Sequence, residues 1–165
     1  MISMYIGQSV YIQKSFNATD IRNLIREEKI TICYMVPPMI QLLTRIDASE
    51  DLKTLRLMVS GGASLPKALA EAFYNNYKIP VIEGYGLSEA SPVVTFNKPS
   101  EVKYYSCGQA IPGVTVKIQQ EDGTDCKTGE VGELFAKGPN VMKGYYHLPE
   151  QTRKTIVAAW FNTGD

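Results

Sequence analysis

The feature that most constrains this chain is an alternation of short β-rich runs with helical stripes, which breaks off near Asn97. Thr31-Ile32-Cys33-Tyr34-Met35-Val36 is continuous, β-rich and closed by Pro37-Pro38, the pattern of a buried parallel strand. Leu55 to Ser60 and Val81-Ile82-Glu83 read the same way, and Val10-Tyr11-Ile12 reads as a further strand. Helices fill the intervals. Asn17 is placed to cap the first, Asp20 adds favourable charge near its start, and Ile21, Leu24 and Ile25 form its apolar stripe. Met39, Leu42, Leu43 and Ile46 mark the second. Ser64 is expected to cap the third, with Pro66 in its first turn and Leu65, Leu69, Phe73 and Tyr77 on its inner face.

Beyond Lys98-Pro99-Ser100, which reads as a connector, the helical stripe disappears. Val114 to Ile118 alternates, Glu121-Asp122-Gly123 is a turn, and residues 129–136 form a glycine-punctuated strand. Pro149 suits the first turn of one short helix. The expected fold class is α/β. Residues 1–96 form a parallel sheet with covering helices, and residues 97–165 form a small β-rich subdomain, an antiparallel sheet or barrel.

Composition removes several kinds of partner. The 165 residues carry 17 Lys and Arg against 17 Asp and Glu, so no net charge marks a nucleic-acid or anionic-lipid surface. Cys33, Cys107 and Cys126 lie far apart, which argues against a disulfide framework or a paired-cysteine zinc site and for a reducing, cytoplasmic setting. Met1 to Ile6 is apolar but too short, and lacks the positive flank, for a signal peptide. No stretch approaches the roughly 18 apolar residues of a transmembrane segment.

Three segments carry residues ill suited to packing alone. Gly61-Gly62-Ala63 follows a strand, at the sheet edge where α/β proteins bind ligands; a plain turn explains the same residues. Glu83-Gly84-Tyr85-Gly86-Leu87-Ser88-Glu89 offers an aromatic face between glycines, a hydroxyl for a phosphate oxygen and a hard carboxylate for Mg²⁺. Its bland alternative is a core tyrosine and a helix-start acid. Trp160-Phe161-Asn162-Thr163-Gly164-Asp165 ends on an acid that could accept two ribose hydroxyls, or lie in a solvated loop.

In this order the segments resemble the AMP-forming acyl-CoA synthetases of the adenylate-forming ligase superfamily. Residues 83–89 match the family's Tyr-Gly-x-Thr/Ser-Glu motif and residues 61–63 its upstream glycine-rich turn. Gly129-Glu130-Val131-Gly132-Glu133-Leu134 with Lys137-Gly138-Pro139-Asn140-Val141-Met142-Lys143-Gly144-Tyr145-Tyr146 matches the next signature, and Pro149-Glu150-Gln151-Thr152 and residues 160–165 complete the series.

The resemblance implies nucleotide binding by Gly61, Gly62, Ala63, Glu83, Gly84, Tyr85, Gly86, Leu87, Ser88 and Asp165. Tyr85 would stack on adenine and Asp165 would hold the ribose. Ser88 and Glu89 would be catalytic, Ser88 at the α-phosphate and Glu89 as the Mg²⁺ ligand. The substrates implied are a fatty acid, ATP (leaving as AMP) and coenzyme A. Leu87 stands where amino-acid-activating relatives usually carry Pro, and Tyr34, Met35 and Val36 could line an acyl tunnel, although core packing accounts for them equally. An adenylating enzyme that loads a carrier protein, and a non-catalytic nucleotide-binding fragment, are the alternatives.

By the same resemblance, a phosphate loop with its Lys belongs upstream of Met1, and a hinge and small domain with a charge-stabilising Lys belong after Asp165. The chain therefore reads as the central part of a larger ligase, and its exposed apolar edges could drive self-association. Losing preorganised charge around a reacting phosphate costs orders of magnitude in rate. The expectation is that these 165 residues alone give little or no fatty-acid-dependent pyrophosphate exchange, and robust exchange would contradict it.

Overall fold

The structure, a computed structural model, describes residues 5–165, so most of the apolar run at residues 1–6 lies outside the described residues. Helix α1 (Ala18–Glu27) begins as the sequence indicates. Asn17 is extended, and its Oδ1 accepts hydrogen bonds from the N–H groups of Thr19 (2.8 Å) and Asp20 (3.2 Å). Such a cap contributes about 1 kcal/mol. Strand β1 (Ile32–Met35) runs into helix α2 (Pro37–Thr44), whose start at Pro37 needs no donor from proline. Strand β2 (Leu57–Ser60), helix α3 (Lys67–Tyr77) and strand β3 (Val81–Gly86) repeat the unit.

β1, β2 and β3 pair in parallel, with Met35 opposite Ser60 and Ser60 opposite Glu83. The same sheet continues antiparallel through β4 (Val93–Phe96) and β5 (Gln109–Ala110), in the order β1-β2-β3-β4-β5. The first sheet thus extends past Asn97, and the second begins at β6 (Thr115–Gln119). It holds β7 (Glu133–Lys137), β8 (Ile156–Val157) and β9 (Trp160–Asn162) in the order β6-β7-β9-β8, all antiparallel, with helix α4 (Pro149–Thr155) leading into β8. The expected α/β class is found, with parallel strands under covering helices and a separate antiparallel sheet after them, while the first sheet is mixed where β4 and β5 join it.

Four local expectations are corrected. Val10-Tyr11-Ile12 is not a strand: the segment pairs with no other strand, and without a ladder its backbone has no reason to stay extended. Its anchor is a hydrogen bond from Tyr11 Oη to Glu28 Oε2 at 2.5 Å. Ser64 does not cap α3; the cap position is Pro66, which biases Leu65 away from helical backbone, so no helix can begin at Ser64. In α2 the buried face is Ile40 and Leu43, and Leu42 faces solvent. β3 does not end at Glu83 but runs on through Gly84-Tyr85-Gly86, where it pairs with β4.

The core lies where α1, α2 and α3 cover the parallel strands, around Ile25, Ile40, Leu43, Met58 and Phe73. A smaller cluster of Ala90, Val94 and Ala136, with Tyr85, Leu87, Val114 and Val116 packed on it, joins the two sheets. At the far side, Asp51 is buried and accepts from Arg22 Nε at 2.7 Å and Arg26 Nη1 at 2.8 Å, tying α1 to the loop before β2. The Arg22 hydrogen bond, with Arg26 adding to it against the opposing effect of burial, holds the Asp51 carboxyl below its ordinary value.

A lowered folded-state pKa stabilises the fold above the unfolded-state value and loses that contribution as pH falls through the folded one. The thermal midpoint should therefore drop as pH falls below about 4. Asp51→Asn should lower the midpoint at neutral pH and shrink this acid-dependent loss, both read by calorimetry across the pH series. An unchanged acid limb in the variant would contradict the assignment.

Candidate functional site

β2 and β3 are neighbours in parallel register, so the chain that leaves β2 after Ser60 does so beside Gly84 to Gly86, where β3 runs on against β4. Gly61-Gly62-Ala63 forms a bend there, with Gly62 at φ +77°, and a Cβ on Gly62 would lie 3.6 Å from Val36 Cγ1. The Glu83 carboxylate ties the two segments: its Oε1 accepts the Leu65 N–H at 2.9 Å. Its backbone oxygen accepts from Asn97 N and Asn97 Nδ2, each at 3.1 Å, and Asn97 Nδ2 also reaches the Ser106 carbonyl. Glu83 thus holds the bend after β2 through its side chain and the Asn97 segment through its backbone.

Gly84 and Gly86 are required by the strand beside them. A Cβ on Gly84 would lie 2.2 Å from the Phe96 ring, and one on Gly86 would lie 2.1 Å from the Pro92 oxygen. Between them Tyr85 is half-buried, its body against the inter-sheet cluster, while its Oη donates to Asp165 Oδ2 at 2.5 Å. Burial first, and then the Asp165 hydrogen bond, push the Tyr85 phenol up to about 12. Asp165 is itself placed by backbone pairing: Leu134 N donates to its oxygen at 2.9 Å, and Thr163 N returns a bond to Leu134 O at 3.1 Å.

Leu87 turns its side chain toward the inter-sheet cluster and donates its N–H to Pro92 O at 2.7 Å. Ser88 is exposed and starts a single 3-10 turn, Ser88–Ala90, that carries Glu89. Glu89 Oε1 accepts from Tyr145 Oη at 3.0 Å. The structure therefore brings Gly61, Gly62 and Ala63 beside residues 83–87, and Tyr85 against Asp165. Tyr34 and Met35 border a cleft of about 670 Å³ running along β1, whereas Val36 lies by the Gly62 bend.

Asn97, Asn140, Tyr145 and Thr163 were not singled out individually from sequence, yet each fixes the backbone or carboxylates of the site. Their signal was only their presence near or inside the quoted motifs, since single long-range hydrogen bonds have no local spacing. Among the described residues no three His, Cys, Asp or Glu side chains cluster as a metal cage, and no helix is long and apolar enough to cross a membrane.

Because a carboxylate opposes a second negative charge beside it, Asp165→Asn should lower the pKa of Tyr85, with burial keeping it above the ordinary phenol value of 10.0. The phenolate signal of ¹³Cζ-labelled tyrosine against pH reads this directly. An unmoved Tyr85 would mean that Asp165 does not hold the hydroxyl in solution.

Comparison with known proteins fits this geometry. Residues 1–146 match the family described as "AMP-binding enzyme". The chain is 33% identical over 175 aligned positions to 4-coumarate–CoA ligase of Pinus taeda, covering 100% of this chain and 33% of that protein. It is 42% identical over 117 positions to the long-chain-fatty-acid–CoA ligase of Yersinia pestis, covering 70% of this chain and 21% of that one. The crystal structure of ATP-bound MatB from Rhodopseudomonas palustris superposes with a TM-score of 0.93 at 27% identity, over 99% of this chain and 33% of MatB. The chain thus spans about a third or less of the length of these relatives.

Proposed function

The chain belongs to the AMP-binding enzyme family, and on that footing we propose that it supplies the nucleotide-holding face of an ATP-dependent ligase joining a fatty acid to coenzyme A. The observation that carries the reading is the meeting of the Gly61–Ala63 bend, Tyr85 and Asp165 at one sheet end, closed by the Tyr85–Asp165 hydrogen bond. Each element matches one part of a nucleotide. The bend lets backbone approach a ring closely, the half-buried Tyr85 offers an aromatic face, and Asp165 retains a second carboxylate oxygen for sugar hydroxyls.

Ser88 and Glu89 lie just beyond, as the groups for the phosphates. Mg²⁺ is commonly held by one or two carboxylates together with substrate phosphates and water. The Glu89 carboxylate, which accepts from Tyr145 at Oε1 and keeps Oε2 for another partner, fits that donor set. Bound there, such an ion would neutralise phosphate charge. In the reaction, a carboxylate oxygen of the acid attacks the α-phosphorus and the bond to pyrophosphate breaks, leaving an acyl-adenylate. The thiol of coenzyme A then loses its proton and attacks the acyl carbon, and the bond to AMP breaks. The residues of this chain bind and orient the nucleotide through these steps, so that the carboxylate meets phosphorus in line.

The fatty-acid assignment draws support from Leu87 in the motif and from the 42% identity to the Yersinia ligase. Val36 beside the Gly62 bend gives an apolar wall where the acyl group would leave the nucleotide. Titration calorimetry with AMP tests the reading. The chain should give saturable heat, and Tyr85→Ala should weaken binding by about 1–3 kcal/mol, the range for a base stacked on an aromatic ring. No saturable heat from either protein would leave a purely structural domain.

A further inference from the structure

The second sheet reaches across to the 3-10 turn of the first through one loop, and it does so at three successive points. Asn140 Nδ2 donates to the carbonyls of Ala90 and Val93, each at 2.8 Å. Met142 N donates to the Glu89 carbonyl at 2.7 Å. Tyr145 Oη donates to Glu89 Oε1 at 3.0 Å. The first two contacts fix the backbone of the turn, and the third fixes the direction of its carboxylate.

Tyr145 is itself held. Its N–H donates to Thr152 Oγ1 at 2.9 Å, and the same hydroxyl donates to Leu148 O at 3.0 Å, so the tyrosine is keyed to α4. The preceding Gly144, at φ +150°, makes that contact possible, because a Cβ there would sit 2.6 Å from Thr152 Cγ2. The Tyr145 ring is half-buried, and its hydroxyl leaves Glu89 Oε2 for another partner. At the same joint Asn140 Oδ1 is buried with no partner, so the contact is kept at a local cost. A phenylalanine would fill the same volume, and what the hydroxyl adds is a constraint on Glu89.

We propose that Tyr145 is a positioning residue that orients the Glu89 carboxylate toward the divalent cation of a nucleotide–metal complex. The proposal rests on the reading of Glu89 given above. Tyr145 touches neither nucleotide nor metal; it acts by fixing one carboxylate oxygen so that the other is presented already oriented, which reduces the ordering lost on binding.

The test uses Mn²⁺ as the probe, its bound fraction read by electron paramagnetic resonance with ATP present, alongside metal-free ATP affinity in chelator and the thermal midpoint. Tyr145→Phe should weaken Mn²⁺ binding by roughly three- to tenfold, the scale of one hydrogen bond, with metal-free ATP affinity and midpoint unchanged. Thr152→Val, which frees the Tyr145 backbone, should move Mn²⁺ affinity in the same direction. Glu89→Gln should lose more, and adding Tyr145→Phe to it should cost nothing further. If Glu89→Gln loses Mn²⁺ while Tyr145→Phe matches the unaltered chain, the proposal is overturned and the reading of Glu89 stands. If Tyr145→Phe fails to fold, or loses metal-free ATP and midpoint together, Tyr145 only holds the fold and the proposal is again overturned. If Glu89→Gln binds Mn²⁺ like the unaltered chain, the reading of Glu89 falls and the proposal with it.

Discussion

β3 has a different kind of neighbour on each side, and both sheets depend on how it meets the second one. Against β2 it is an ordinary parallel strand, its residues buried under α3. Against β4 it is antiparallel, with Gly84 and Gly86 admitting Phe96 and Pro92 to distances no side chain would allow. That close approach brings Val94 next to Ala90 and Ala136, the small residues through which the two sheets touch. The glycines that look like loop chemistry are therefore a packing requirement first, and the placement of Tyr85 follows from it.

The same strand explains why so many functional groups arrive together. Ser60 and Glu83 are in register, so the bend that ends β2 opens beside Gly84 to Gly86, the part of β3 that runs on against β4. Glu83 then uses its side chain to anchor the Leu65 N–H and its backbone to anchor Asn97, which fixes both segments. From the other sheet, the pairing of Leu134 with Thr163 and Asp165 brings a carboxylate to the Tyr85 hydroxyl. Two sheets of different type supply the two sides of one site.

Much of this was legible in residue order, and the failures have definite causes. Asn17, the Ile21–Ile25 stripe and the β-rich runs at β1 and β2 are local signals, and each produced the element expected. Val10-Tyr11-Ile12 has strand composition but no partner, a property no local window contains. At α3 two local rules competed, a serine cap and a proline two residues later, and the steric rule won. β5 is two residues long, too short to carry any periodicity. In the site, residues 61–63, 83–89 and 165 stood out by type. The groups that hold them, Asn97, Asn140, Tyr145 and Thr163, did not, because what matters about them is a single contact across a long stretch of chain.

Those long stretches have a thermodynamic meaning. Tyr85 and Asp165 are 80 residues apart, Glu89 and Tyr145 are 56, and Asn140 and Ala90 are 50. Contacts of such high sequence separation carry the entropy cost of closing the intervening chain. Because they join one sheet to the other, they are lost whenever the sheets part. A ligand that touches both sides would bind only the closed form, and by mass action would hold the two sheets together.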